Sequence, residues 1–396
     1  MTSQPSDGSK NPAPGTPPFF LTEPVYDLAI TYFYGRLFAA EPEIGAMFPA
    51  AMDGQRQRFY RALYRIVVTR DENLDEYLAE LGRAHRKFGV RTEHYLAFRT
   101  ALLAAAYRFT PPGGNGAPAA PDTWLAAFDR AAEIMASAAE DDAARSPAWW
   151  TAELTAHELR TPDVAVLTLM PGEPFPFLPG QHLSVQTSRW PRLWRHYSIA
   201  NAPREDGSLT LHVRAVGGGL VSTTLAHHIK LGDTVLLGPP GGRMTADTES
   251  TRPVLCLAGG TGLAPLKAII EAITRATKSG ARRNIVLYHG VRKEAGLYDL
   301  PALRRMELDY PQLYIIPVTS AERVPGVRHG TIPAVVATTA SRGDRDVYIS
   351  GPDAMIVKTA AALRKLGEDP SRIHYDLPGE AEPALGSQPP AFGKRP

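Results

Sequence analysis

Residues 254–265 read Val254-Leu-Cys-Leu-Ala-Gly-Gly-Thr-Gly-Leu-Ala-Pro265, an apolar run followed by a glycine-rich loop and a proline. The run has the length of a buried strand, and Pro265 suits the first turn of a helix, where its missing N–H costs no hydrogen bond. Glycines at 259, 260 and 262 let the backbone approach a phosphate, and the N-terminal N–H groups of the helix would face that phosphate. The order strand, glycine-rich turn and helix predicts a nucleotide-binding domain.

Strands and helices alternate on the C-terminal side of this loop. The strand candidates are Val254–Ala258, Asn284–His289, Leu313–Val318 and Val347–Ser350, and the helix candidates are Pro265–Thr277, Leu300–Leu308 and Pro352–Leu366. Such alternation predicts a parallel sheet with helices on both faces, so we expect an α/β doubly wound domain over residues 251–378.

Residues 146–250 show short alternating runs separated by Pro, Gly and Asp, such as Val164–Leu169, His182–Thr187 and Leu209–Arg214. This pattern predicts an antiparallel β-barrel. In the run Arg195-His-Tyr-Ser198, Arg195 and Tyr197 would share one face of a strand. A guanidinium there can pair with a pyrophosphate, and a tyrosine ring can lie against a flat cofactor.

In residues 19–145, apolar residues recur at spacings of three and four positions. This pattern predicts an all-α domain. A Pro/Gly-rich stretch at 111–121 interrupts the pattern and is expected to be a loop. On the predicted helix Leu74–Phe88, His85 falls on the same face as three leucines and Phe88. Such a histidine is more often a core residue than a ligand. Gln55 opens another helix and shares a face with Phe59, Leu63 and Ile66.

Length and composition exclude several classes of protein. The 396 residues carry a net charge of only +2, which argues against nucleic acid or an anionic membrane as main partner. The single cysteine, Cys256, lies in an apolar run and is expected to be a buried thiol. We expect no stable membrane insertion, disordered tails at 1–18 and 379–396, and a cytoplasmic protein. The pair Arg282-Arg283 is interpreted as solvated surface.

Four motifs in order resemble the ferredoxin–NADP reductase superfamily: Arg195–Ser198, Gly217–Thr223, Gly259–Pro265 and Ser350–Met355. The resemblance implies a barrel that holds FAD and a doubly wound domain that holds NAD(P)H. It assigns to FAD the residues His182, Arg195, His196, Tyr197, Ser198, Ser222 and Thr223. It assigns to the nicotinamide nucleotide Gly259, Gly260, Thr261, Gly262, Leu263, Ala264, Pro265, Ser350 and Gly351.

The sequence departs from that superfamily at two places. Ser350 stands where many members have cysteine, and the terminal aromatic that often covers the flavin is missing from His374–Gly379. Stacking on the flavin would then fall to Tyr375 or to no residue. Arg292 and Arg323 could each meet a 2′-phosphate or could simply be exposed, so the choice between NADH and NADPH stays open.

The N-terminal region resembles the globin domain of flavohaemoglobins, a family that joins this domain to the same reductase module. The resemblance rests on Tyr32–Phe38, Met47–Pro49, Gln55 and the pair His85 and Tyr95. It implies haem b with His85 as axial ligand. It places Phe48 against the porphyrin, Tyr34 and Gln55 on the side where O2 binds, and Tyr95 near His85. Glu140 is our candidate for the carboxylate that supports His85, with Glu133 as the alternative.

The combined resemblance implies a nitric oxide dioxygenase, with O2 and NO as small-molecule substrates and nitrate as product. Electrons would pass from NAD(P)H through FAD to haem within one polypeptide, which we expect to be a monomer. Two alternatives remain. A reductase whose helical domain has lost haem and docks a separate acceptor predicts no Soret absorption. A haem-based oxygen or redox sensor predicts haem but little NO consumption.

Overall fold

The computed structural model describes residues 19–22, 25–49, 52–68, 72–110, 121–276, 283–339 and 343–377. The predicted tails at 1–18 and 379–396, and the predicted loop except for Pro121, lie outside these residues. The chain divides into two compact units between Ala148 and Trp149, and each unit is described by itself. No helix of the described part is long and apolar enough to cross a membrane.

The N-terminal unit is helical, as predicted. Its helices are α1 Val25–Ala40, α2 Pro42–Gly45, α3 Asp53–Val68, α4 Leu74–His85, α5 Thr92–Phe109 and α6 Pro121–Ala143. Helix α4 continues as a 3-10 turn over Arg86–Phe88 and stops at Gly89, whose φ of 79° is left-handed and favours glycine. The predicted helix Leu74–Phe88 is therefore α-helical as far as His85.

The described helices of this unit form two apolar clusters. Helices α1, α3 and α5 surround Phe33, Tyr34 and Leu63, whereas α4 and α6 meet over Leu81 and Met135. Helix α3 contributes to both clusters, since Phe59 and Leu63 pack in the first and Ile66 in the second. The face predicted from the spacing of these residues is therefore divided between two environments.

The C-terminal unit begins with an antiparallel barrel. Its strands are β1 Trp150–Thr161, β2 Val164–Pro171, β3 His182–Thr187, β4 Arg195–Ser198, β5 Leu209–Arg214 and β6 Thr234–Leu237, and a short helix α7 spans Leu220–Thr223. The strands follow the order β4-β3-β6-β1-β2-β5, and an antiparallel bridge from Ile199 to Leu211 nearly closes the barrel. The predicted barrel is confirmed.

A parallel sheet follows. Its strands are β7 Val254–Gly259, β8 Ile285–Val291, β9 Leu313–Thr319, β10 Arg328–His329, β11 Asp346–Ser350 and β12 Ile373–His374. The helices are α8 Leu263–Ala276, α9 Leu300–Asp309, α10 Ile332–Thr339 and α11 Asp353–Lys365. The strand order β10-β9-β8-β7-β11-β12 reverses direction between β7 and β11. The doubly wound domain is confirmed, and its switch point lies between β7 and β11.

Barrel and parallel sheet share one core. Val164 and Val166 of β2 pack in the same cluster as Leu266 and Ile269 of α8. The Glu271 carboxylate of α8 accepts a hydrogen bond from the Ala202 amide of the barrel at 3.1 Å. The barrel and the parallel sheet are therefore held together by apolar packing and by polar contacts.

Two expectations about single residues have opposite outcomes. Cys256 is wholly buried, as predicted, and burial raises the pKa of its thiol to about 12. The interpretation of Arg283 as solvated surface is wrong. Its guanidinium is buried and pairs with the buried Asp346 carboxylate at 2.7 Å, because a partner distant in sequence compensates the cost of burying the charge.

Candidate active site

The glycine-rich loop lies at the switch point of the parallel sheet. Ala258 of β7 pairs with Ser350 of β11, which places Ser350 and Gly351 beside the loop. An ideal Cβ on Gly262 would lie 2.4 Å from the Ser350 carbonyl oxygen, so glycine is required there. The structure thus brings together the two motifs that the sequence assigned to the nicotinamide nucleotide.

The residues that follow the loop have buried side chains. Leu263, Ala264 and Pro265 begin α8, and their side chains are buried. Only their backbone can contribute to a nucleotide site, and Pro265 has no N–H to offer. The N-terminus of α8 and the loop amides are therefore the groups that remain for an anion.

Strand β4 displays the residues assigned to FAD on its two faces. Arg195 and Tyr197 share one face and are half-buried, and the Arg195 Nη1 donates to the Trp194 carbonyl at 2.8 Å. Burial raises the pKa of the Tyr197 hydroxyl far above its ordinary value, which the nearby Arg195 opposes. Burial also lowers the pKa of Arg195.

The other face of β4 carries two further predicted residues. Ser198 pairs in register with His182 of β3, and the His182 and His196 rings lie 5.3 Å apart, edge to face. His196 is exposed, whereas His182 and Ser198 are half-buried. These three residues form a second polar group beside the Arg195 and Tyr197 face.

The turn before α7 is held by its own serine. The Ser222 hydroxyl donates to the Gly219 carbonyl at 3.1 Å and accepts from the Val216 amide at 3.3 Å. Ser222 is buried and Thr223 half-buried. Ser222 therefore shapes the turn, and direct contact of Ser222 and Thr223 with a flavin phosphate stays a prediction.

The C-terminal segment is tied to the barrel by a residue that the sequence analysis missed. The Asp376 carboxylate accepts from the backbone amides of Arg243 at 3.0 Å and Met244 at 3.4 Å. The neighbouring Tyr375 hydroxyl accepts from Arg364 of α11 at 3.1 Å. No sequence signal marks Asp376, because its partners are more than 130 positions away.

The two arginines considered for a 2′-phosphate lie past neighbouring strands. Arg292 follows β8 and Arg323 follows β9 by a few residues, and both side chains are exposed. The Ala321 amide donates to the Arg292 carbonyl at 2.8 Å, so the two loops run side by side.

His85 ends α4 with its imidazole in a defined tautomer. The Nδ1 atom lies 2.7 Å from the Leu81 carbonyl oxygen, which can only accept a hydrogen bond. Nδ1 therefore carries the proton and the lone pair is on Nε2, the atom that would bind a metal. The next residue, Arg86, forms an ion pair with Asp142 and donates to the Ser146 carbonyl at 2.6 Å, which holds this end of α4 against the end of α6.

Tyr34, Phe48 and Gln55 lie close together, and the roles that the resemblance implies for them at a haem stay predictions. The Tyr34 ring packs edge-on against Phe48 at 5.6 Å, and Gln55 is buried beside Tyr34. Burial raises the pKa of the Tyr34 hydroxyl far above its usual range. Gln55 is close enough to lower that pKa, although the two groups do not meet hydrogen-bonding geometry. The Gln55 Oε1 instead accepts from Arg58 at 2.8 Å, a contact that the sequence analysis missed.

The residues predicted to support His85 differ in their burial. Tyr95 packs in the cluster that contains Leu81, and burial raises the pKa of its hydroxyl to about 12. Glu140 is exposed and its carboxylate accepts from the Thr92 hydroxyl at 2.7 Å, while Glu133 is also exposed. An effect of Glu140 or Glu133 on His85 stays a prediction.

Three family models match the chain in succession. A globin model matches residues 31–135, an oxidoreductase FAD-binding domain matches residues 151–245, and an oxidoreductase NAD-binding domain matches residues 256–361. Together they cover both compact units in the order that the sequence predicted.

Individual relatives agree with this division. The ferredoxin–NAD(P)(+) reductase component of a naphthalene 1,2-dioxygenase system from Pseudomonas putida is 34% identical over 225 residues, which are 56% of this chain and 67% of the relative. A flavohemoprotein from Bordetella pertussis is 29% identical over 381 residues, or 88% of this chain and 92% of the relative.

A solved structure shows the same fold over both units. The flavohemoglobin from Malassezia yamatoensis with bound FAD and heme superposes with a TM-score of 0.72 at 18% identity, over 88% of this chain and 93% of that one. The chain therefore belongs to the FAD- and NAD-binding oxidoreductases, here joined to a globin domain, and over 88% of its length it is similar to a flavohemoprotein.

Proposed function

We propose that the protein is a nitric oxide dioxygenase, which uses electrons from NAD(P)H to convert NO and O2 to nitrate. One NO, one O2 and one electron give one nitrate, so each NAD(P)H supports the oxidation of two NO. The observation that carries the proposal is the buried Tyr34 hydroxyl beside Gln55, in the unit that also presents His85. We retain the expectations of a monomeric state and a cytoplasmic location, where NAD(P)H is supplied.

The residues of the helical unit fit a haem. His85 donates from Nδ1 to the Leu81 carbonyl, so Nε2 would be the atom that holds the haem iron, and the backbone acceptor would make the imidazole a better electron donor. When bound, FAD converts a hydride into single electrons and haem supplies the iron at which O2 and NO react.

Tyr34 and Gln55 would offer donors to a diatomic ligand. The raised pKa keeps the Tyr34 hydroxyl protonated, and no hydrogen-bond partner for that hydroxyl occurs among the described residues. Because the Gln55 Oε1 accepts from Arg58, the Gln55 N–H groups are the ones that remain on the side of Tyr34. A buried donor without a partner costs free energy, which a bound ligand would recover.

The reductase unit would bind the two nucleotides at different elements. Arg195 and Tyr197 of β4 would bind the flavin pyrophosphate and ring, with Ser198, His182 and His196 at the adjoining face. The glycine-rich loop and the N-terminus of α8 would bind the pyrophosphate of NAD(P)H. Ser350 would lie near the nicotinamide, because it pairs with the last residue before the loop glycines.

Purified protein in air should consume NO and form nitrate when NADH or NADPH is supplied, with two NO removed per nicotinamide oxidised. His85→Ala should abolish NO consumption while the variant still reduces ferricyanide with NAD(P)H. Arg195→Ala should lose FAD and both activities. An NO electrode, a nitrate assay and absorbance at 340 nm measure the three quantities.

Two results would contradict the proposal and favour another function. A purified protein without Soret absorption would support a reductase that docks a separate acceptor. A haem-containing protein that consumes NO no faster than His85→Ala would support a sensor.

A further inference from the structure

His289 lies beneath the glycine-rich loop and has no assigned role. It belongs to β8, pairs in register with Ala258 of β7, and is wholly buried. Its Nε2 atom lies 3.0 Å from the Gly260 carbonyl oxygen. A carbonyl oxygen can only accept, so Nε2 carries the proton and Nδ1 does not.

The charge of this imidazole depends on its burial. Burial lowers the pKa of His289 to about 4, opposed by the hydrogen bond to Gly260 and by Asp299, and reinforced by Arg214. His289 is therefore neutral at physiological pH. Its Nδ1 atom has no hydrogen-bond partner among the described residues, so the contact with Gly260 is the one that orients the ring.

We propose that His289 is a positioning residue for NAD(P)H that sets the direction of the Gly260–Thr261 peptide. In a planar trans peptide the C=O of one residue and the N–H of the next point in opposite directions. With the Gly260 C=O held towards β8, the Thr261 N–H points away from β8, towards the space outside the loop. The inference rests on the assignment of this loop to the pyrophosphate under Proposed function.

Gly260 leaves room for a donor from outside the turn to influence the peptide orientation. Gly260 has a φ of 56°, in the left-handed region that glycine enters freely, so the local backbone has little preference between alternative peptide orientations. The Leu263 amide also donates to the Gly260 carbonyl and closes the 3-10 turn. His289 adds a donor that belongs to the sheet, which ties the turn to a rigid element.

Buried polar residues lie beside the His289 imidazole. Tyr298 lies edge-on to the His289 ring at 6.0 Å, and its hydroxyl is 2.8 Å from Nδ1 of His212 on β5. The adjacent Asp299 is buried and accepts from Lys267 of α8 at 2.8 Å. These contacts hold Tyr298 and Asp299 in place beside His289.

Two variants of similar volume test the inference in the full-length holoprotein. His289→Gln keeps an N–H near the position of Nε2, whereas His289→Met has no donor. His289→Met should raise the KM for NADH and the dissociation constant of ADP-ribose about fivefold to tenfold, the effect of one hydrogen bond. The kcat for ferricyanide reduction, the flavin spectrum and inhibition by adenosine, which has no pyrophosphate, should not change.

The comparison of variants decides between positioning and packing. In His289→Gln, the KM for NADH and the dissociation constant of ADP-ribose should lie within about twofold of the wild-type values, as expected for one replaceable hydrogen bond. Equal weakening by Gln and Met, or weakened binding of adenosine by His289→Met, would overturn the inference. If His289→Met does not fold, His289→Asn, whose shorter amide cannot reach the Gly260 carbonyl, should show the same loss, and wild-type affinity in that variant would overturn the inference.

A control variant separates this inference from the assignment of the loop. Gly262→Val places a side chain against the Ser350 carbonyl and should weaken ADP-ribose whatever the role of His289. Unchanged ADP-ribose affinity in Gly262→Val would refute the loop as the nucleotide site. Weakening in Gly262→Val but not in His289→Met would refute only the positioning role.

Discussion

Replacement of Gly82 by alanine adds one methyl group where α4 crosses α6. An ideal Cβ on Gly82 lies 2.1 Å from the carbonyl oxygen of Met135 and 2.7 Å from its Cα. The obstacle is helix backbone, which cannot move aside as a side chain can. Helix α4 must therefore shift away from α6, and His85, at the end of the same helix, shifts with it.

The expected change in stability is the difference between the cost of separating the helices and the gain in helix propensity. A carbon–oxygen contact needs about 3.4 Å, so the helices must separate by about 1 Å, and overpacking of this kind costs about 3 kcal/mol. Alanine returns about 1 kcal/mol through its helix propensity, which leaves a net loss of about 2 kcal/mol. For a unit of this size, that loss lowers the melting temperature by roughly 8 °C.

Gly35 provides a matched control. It lies on the exposed side of α1, and an ideal Cβ there meets no atom within 4 Å. Gly35→Ala should therefore show only the gain in helix propensity, about 1 kcal/mol or roughly 4 °C of added stability. The same substitution is expected to have opposite signs at the two glycines.

Far-ultraviolet circular dichroism of the full-length protein follows the helical unit, and transfer of haem to apomyoglobin follows the His85 site. Gly82→Ala should melt earlier and release haem faster, whereas Gly35→Ala should release haem at the wild-type rate. A Gly82→Ala variant as stable as wild type would refute the close α4–α6 crossing. Reduced stability with an unchanged haem release rate would refute the coupling to His85.

Two further predictions concern single polar groups. Tyr34→Phe removes a buried hydroxyl that has no partner in the described part of the chain, so the free energy of unfolding without ligand should rise by about 1 kcal/mol, while stopped-flow should show O2 leaving the reduced protein about tenfold faster. A melting temperature several degrees lower would mean that this hydroxyl bonds to the protein. Burial lowers the pKa of His212 to about 3 and of His289 to about 4, so between pH 6.5 and 4 only the unfolded chain takes up these protons. Stability of the reductase unit should therefore fall with decreasing pH by up to about 1.4 kcal/mol per pH unit for each histidine. Urea unfolding at several pH values, monitored by flavin fluorescence, should give a shallower slope for His212→Gln, and an equal slope would contradict the assignment.

Hydrophobic period and glycine placement were enough to predict the architecture of the reductase half. The four predicted strands of the parallel sheet all occur, and their observed bounds differ by only one or two residues. These signals are local, since strand alternation and the glycine-rich turn between a strand and a helix can be read from neighbouring residues. The sequence also placed His85 on an apolar helical face, and the resemblance to a known family supplied its role.

Contacts between distant residues could not be predicted in this way. Arg283 reads as surface by composition, yet it is buried because Asp346 lies beside it in the folded sheet. Asp376 meets the amides of Arg243 and Met244 only because the segment after β12 returns to these residues in the folded chain. Periodicity predicts which way a side chain points, but says nothing about which element it will meet.

The glycine-rich loop depends both on its local sequence and on contacts with distant residues. From the sequence alone, its glycines and the proline after it determined a turn between a strand and a helix. Only the tertiary structure decided that His289, from the next strand, lies under the Gly260 carbonyl and that Ser350 closes the other side. The turn is local chemistry, whereas the direction of its peptide groups depends on donors that parallel strand pairing brings from elsewhere in the chain.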